Sequence, residues 1–106
     1  MENKIYNIDL DAPITPLMVR DAIVECFWTA HCKDTGLEQE AQETNKSYCK
    51  SIVEKAFTDT KGDFYHPTKE SIVASIGNLA SFAKSFRDPS LIEKHYGEIM
   101  QLVEKL

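Results

Sequence analysis

Along most of this chain apolar residues recur every three or four positions, which at about 100° per residue is the spacing of amphipathic helices. The carboxyl-terminal stretch shows it best. Leu91, Ile92, His95, Tyr96, Ile99, Leu102, Val103 and Leu106 fall on one face, opposite Glu93, Lys94, Glu98, Gln101, Glu104 and Lys105. Upstream, Ile72, Val73, Ile76, Leu79, Ala80, Ala83 and Phe86 form a second stripe, and Leu37, Ala41, Tyr48, Cys49, Ile52, Val53 and Ala56 a third. The first helix is wider. Val19, Ala22, Ile23, Cys26, Phe27 and Ala30 make one stripe and Leu17, Val24 and Trp28 another beside it, so its polar edge narrows to Asp21, Glu25, Thr29 and Lys33. Such a helix must touch something on two sides.

Proline and glycine punctuate these stripes, because Pro suits the first helical position and Gly the end of a helix. Thr15-Pro16 reads as an N-cap and first residue for a helix over 16–33. Thr35 and Glu38 have capping-box spacing for a second helix over 36–58, although Gly36 serves equally well as the C-cap of the first. Pro67-Thr68 opens a third helix over 68–86, and Asp88-Pro89 a fourth over 89–106. Connections this short make neighbours antiparallel. The expected fold is therefore all-α, a four-helix, mostly antiparallel up-down bundle in one domain. A short extended N-terminal arm precedes it over 1–14, where Ile5, Ile8 and Leu10 stand among polar residues. The arm lies on the bundle or frays from it, and the pattern fits both.

Composition narrows the class. A chain of 106 residues with 42% hydrophobic and 27% charged residues has the apolar content for one core, and is not a disordered polymer. Twelve basic against seventeen acidic residues give a net charge of -5 with no basic stripe, so nucleic acid is not expected as a partner. The amino terminus has no signal-peptide core and no apolar run approaches the length of a bilayer, so no membrane partner is expected and the protein is expected in the cytoplasm. Cys26, Cys32 and Cys49 are odd in number, which argues against a secreted disulfide framework and for reduced thiols.

Four polar residues occupy places where the helical wheels call for apolar ones: Arg20, His31, Asn45 and His95. Buried polar groups must be paired. Counting back from the turns of an up-down bundle sets Asn45 level with Glu25 and Cys26, His95 level with Ser81 and Phe27, and His31 about one helical turn higher. A layer of His95, Asn45 and Cys26, with His31 above, reads first as a hydrogen-bond network that fixes helix pairing. Its alternative reading is a site for a metal or a small organic ligand. The spacing supports no metal: there is no Cys-x-x-Cys, His31 and Cys32 are adjacent and diverge around the helix, and no Glu-x-x-His pair is present. No cofactor is expected. Catalytic motifs are equally absent, with no Gly-x-Ser-x-Gly and no phosphate loop, while Cys26 and Cys49 face the expected core, where thiols are inert.

Binding has more support. The Leu17, Val24, Trp28 edge is too large for a solvated face, and either packs against the chain's own helices or forms an interface. On the third helix Ala74, Gly77, Ser81 and Ser85 line an outer face of small residues that permits close approach. The sequence therefore leads to a noncatalytic cytosolic helical interaction or accessory protein that self-associates or binds a protein partner. Ligand binding through the polar layer is the alternative.

Overall fold

The computed structural model describes residues 4–5, 8–9, 11–36, 39–84 and 90–106, the side chains at 4–5, 39–42, 83, 91–92 and 94 excepted. Among these residues the chain forms β1 (Lys4–Ile5), β2 (Ile8–Asp9), α1 (Pro16–Thr35), α2 (Gln39–Asp59), α3 (Lys69–Ala83) and α4 (Ser90–Glu104). The four helices make the expected bundle. α1 packs against α2 and α4, α3 against α2 and α4, and α1 also touches α3 across the centre. The stripe positions Leu37, Ala41, Ala83, Phe86, Leu91 and Ile92, and the Asp88-Pro89 start, lie outside what is described.

Local chemistry sets the helix ends. Thr15 is the N-cap of α1, its backbone extended and its hydroxyl accepting from the Met18 amide at 3.3 Å, with Pro16 in the first helical position. Gly36 ends α1 in the left-handed conformation at φ 64°, where a Cβ would be strained, and its amide donates to the Cys32 carbonyl at 2.9 Å. Thr35 is therefore not the cap of α2. It is the last residue of α1, and its hydroxyl donates to the His31 carbonyl at 2.8 Å. α3 begins with a reciprocal box, in which Ser71 donates its amide to the Thr68 hydroxyl at 3.1 Å while the Thr68 amide donates to the Ser71 hydroxyl at 2.8 Å.

The core comes from one stripe per helix. Val19, Ile23, Cys26 and Phe27 of α1 meet Cys49, Val53 and Phe57 of α2, Ile72 and Leu79 of α3, and Ile99 and Leu102 of α4, all essentially without solvent contact. Each large side chain among them contributes roughly 1.5 to 3 kcal/mol by leaving water. Two stripe positions depart from expectation: Tyr48 and Val73 are exposed. Ser75 is buried among the apolar residues, its hydroxyl satisfied by donating to the Ile72 carbonyl at 2.8 Å.

The arm is more structured than a simple extended tail. β1 and β2 pair antiparallel with Lys4 opposite Asp9 and Ile5 opposite Ile8, and Ile8 is buried in the core cluster, which fastens the hairpin to the bundle. No helix among the described residues is long and apolar enough to cross a membrane.

Candidate functional site

The residues singled out for chemistry separate into three places. At the end of the bundle where α2 passes into α3, the loop after Asp59 turns through Lys61, which takes a left-handed φ of 64°, and Gly62, whose amide donates to the Phe57 carbonyl at 2.7 Å. A Cβ on Gly62 would stand 2.8 Å from the Ser71 Cβ, so this crossing admits only glycine. Phe64 folds back into the core edge-to-face on Phe57, with ring centres 5.7 Å apart. Arg20 closes this end. Its guanidinium donates to the Phe64 carbonyl at 2.9 Å, lies 4.6 Å above the Phe64 ring, and pairs with Asp21. Arg20 on the apolar arc of α1 thus has a structural explanation. Outside, Tyr65 donates to Glu54 at 3.2 Å, and His66 beside Asp63 holds that carboxyl below its ordinary range.

The opposite end, where Gly36 separates α1 from α2, gathers a different set. The Asn45 side-chain amide donates to His31 Nδ1 at 2.7 Å and reaches two sulfurs, Cys49 Sγ at 3.6 Å and Cys32 Sγ at 3.9 Å. Because the amide is the donor, Nδ1 of His31 is the accepting nitrogen. Burial, followed by the neighbouring Cys32, pushes the Cys49 thiol up to about 12, so Cys49 stays protonated and unreactive at neutral pH. The His31 ring also belongs to a row of aromatic side chains. Phe82 of α3 sits 5.6 Å from Phe27, Phe27 6.4 Å from His31, and His31 6.0 Å from Tyr48 of α2. The inner ring, Phe27, is fully buried, whereas the two outer ones are open to solvent, Tyr48 at 54% and Phe82 at 40%.

The third place is the seam of α1 and α4. Cys26 is buried there near Tyr96, and its proximity adds to the burial that raises the Tyr96 phenol well above its ordinary value. The Tyr96 hydroxyl is buried and makes no hydrogen bond among the described residues. His95 is half-buried on the preceding position of α4. Of the residues expected in one layer, Asn45 and His31 are brought together by a hydrogen bond. Asn45 bonds to His31, Cys32 and Cys49, whereas Cys26 lies beside Tyr96. The reason is the register of α1 against α2: α1 continues to Thr35 and α2 starts at Gln39, which shifts the centre of the turn toward the C-terminus and raises Asn45 relative to α1.

The expected interface edge divides in the same way. Val24 is buried within the chain, and Trp28 is half-buried with the Lys46 ammonium 4.8 Å above its ring, held by an ion pair to Glu25 at 2.7 Å. Only Leu17 is well exposed, at 48%. On α3 the outer face is open at Gly77, where an added Cβ would meet nothing within 4 Å. Tyr48 and Phe82 are the site residues that sequence reasoning missed. The periodicity of α2 places Tyr48 on the core stripe, and nothing in the local pattern marks Phe82, whose ring lies against Phe27 of another helix.

Among the described residues no group of three or more His, Cys, Asp or Glu is arranged to hold a metal ion. Comparison with known proteins finds no matching family model, no matching curated protein and no matching solved structure.

Proposed function

We propose that this chain is a noncatalytic helical interaction protein of the cytosol that self-associates through the Gly36 end of its bundle. The observation that carries the reading is the aromatic row, in which Tyr48 and Phe82 stay open to water on either side of a buried Phe27. Exposed aromatic side chains favour association, because they bury a large area at small entropic cost. They also replace the Leu17, Val24, Trp28 edge as the face of contact, since Val24 is spent on the chain's own core. No disulfide joins the three cysteines, which suits a reducing compartment.

The test is molar mass by light scattering over a concentration series, on wild type and on a Tyr48→Ser, Phe82→Ser double variant. A dimer that dissociates on dilution, and dissociates more readily in the variant with its helical circular dichroism unchanged, supports the reading. A wild type that stays monomeric throughout the series removes self-association.

One observation favours a second reading, ligand binding in the α1/α4 seam. The unpaired Tyr96 hydroxyl beside Cys26 leaves a buried polar group that a small polar molecule would satisfy. In this reading His95 and Cys26 remain candidate contacts, whereas Asn45 and His31 already bond to each other at the bundle end. Native mass spectrometry and elemental analysis of purified protein separate the readings, since a copurifying molecule lost in Tyr96→Phe would put ligand binding first.

A further inference from the structure

The Asn45 amide touches two thiols from different helices, Cys32 near the end of α1 and Cys49 one turn along α2 from Asn45 itself. Their sulfurs are thus no farther apart than the sum of the two contacts, about 7.5 Å. A disulfide needs the sulfurs at about 2 Å and Cα atoms some 4.4 to 6.8 Å apart; facing residues of helices packed about 8 to 10 Å axis to axis have such a Cα spacing, and rotation of the side chains then brings the sulfurs together. Cys26 is excluded from this pairing by its own helix. It precedes Cys32 by six residues, a turn of about 240° around the axis, and faces Tyr96 instead.

We infer that Cys32 and Cys49 form a reversible redox pair, closing a disulfide between α1 and α2 when the chain meets a small-molecule disulfide such as oxidised glutathione. This goes beyond the association reading and does not depend on it. The two cysteines have unequal roles. Cys32 keeps 8% exposure and Cys49 none, so the oxidant is met first by Cys32. Cys32 gives up its proton and its sulfur attacks one sulfur of the oxidant, breaking that S–S bond and releasing one small thiol. The Cys49 sulfur then attacks the Cys32 sulfur of the mixed disulfide, giving its proton to the departing second thiol. The two protein thiols lose two electrons and two protons in total, and the oxidant carries them away as two thiols. Cys49 is held beside Cys32 by the shared Asn45 amide, and capping Cys32 as a mixed disulfide removes the neighbouring thiol that helps to raise the Cys49 pKa, so proximity carries the second step.

Closing the bond also removes both thiols as partners of the Asn45 amide, while its bond to His31 remains. The disulfide ties the two helices on either side of the Gly36 turn, and so constrains the separation of α1 from α2 at that end.

The experiment equilibrates the full chain with glutathione buffers of rising oxidised fraction, then unfolds it in alkylating denaturant and counts labelled thiols by intact mass. Wild type should fall from three labelled cysteines to one. Trypsin should then release the peptide Ser47–Lys50 joined to Asp21–Lys33, and fragmentation should place the link at Cys32. Cys26→Ala should give the same link, and Cys32→Ser and Cys49→Ser should give none. Circular dichroism of each variant verifies that it has folded. Three labelled cysteines at every buffer composition, a link through Cys26, a glutathione adduct that never closes, or a link only between two chains would each overturn the inference.

Discussion

The two ends of this bundle are built from similar materials and finish differently. Each end has a Phe buried in α1 or α2 with a second ring against it, and each has a basic or amide side chain reaching across helices. At the Gly62 end Arg20 spends its guanidinium on a loop carbonyl and on the ring behind it, and Phe64 is driven into the core. The loop is thereby fastened and its apolar surface withdrawn from water. At the Gly36 end the Asn45 amide is shared among a ring nitrogen and two sulfurs, the latter weak acceptors, and the rings of Tyr48 and Phe82 are left outside. One end is closed by strong, dedicated partners. The other is held by weaker, shared contacts and leaves two rings exposed.

The contrast breaks most visibly with large truncations. Phe57→Ala removes a fully buried ring that Phe64 packs against, and should lower stability by roughly 3 to 5 kcal/mol in urea denaturation. Phe82→Ala, at the open end, should cost under about 1 kcal/mol. Equal costs would show that the two ends are packed alike.

A smaller effect is expected at the loop itself. Gly62→Ala forces a Cβ against Ser71 and should cost about 1 to 3 kcal/mol, whereas Gly77→Ala, with open space around it, should raise the denaturation midpoint. If Gly62→Ala is neutral, the tight crossing of loop and α3 is not what fastens that end.

The smallest effect is a dependence on alkaline pH. In the folded chain Cys49 holds its proton up to about 12 rather than the ordinary 9.0. The folded state thus binds that proton more tightly than the unfolded one. Its contribution is complete below pH 9.0 and is lost as pH rises toward about 12. The buried Tyr96 phenol acts in the same direction above its ordinary 10.0. Stability measured by urea midpoints should decline over this window, and less steeply in Cys49→Ala than in wild type. An identical slope would mean that the thiol is as well solvated as in the unfolded chain.

Local pattern carried most of the architecture. Thr15-Pro16 and Thr68 cap helices by their own side chains, so their signals act within a few residues and are readable from sequence. Ile23, Ile72, Ile99 and Leu102 are buried because each lies at the middle of a stripe. Phe57 was within reach as well, being four residues from Val53 and eight from Cys49 on the same face. What escaped depends on register between helices. Moving the centre of a turn by one residue moves the facing partner by two, so a turn placed near Thr35 sets Asn45 against Cys26, while the real gap between Thr35 and Gln39, centred about two residues later, moves its partner along α1 toward His31 and Cys32. The openness of Tyr48 and Phe82 is likewise a property of how the helices pack, which no single helix encodes.

The position of Trp28 makes the chain its own optical gauge. It is the single tryptophan of the sequence, and the ammonium of Lys46 rests over its indole from the neighbouring helix. Indole emission shifts with the charges and water around the ring, and both change when α2 draws away from α1. A fluorescence spectrum, recorded with no label attached, therefore follows the spacing of the same helix pair that Asn45, Cys32 and Cys49 hold together.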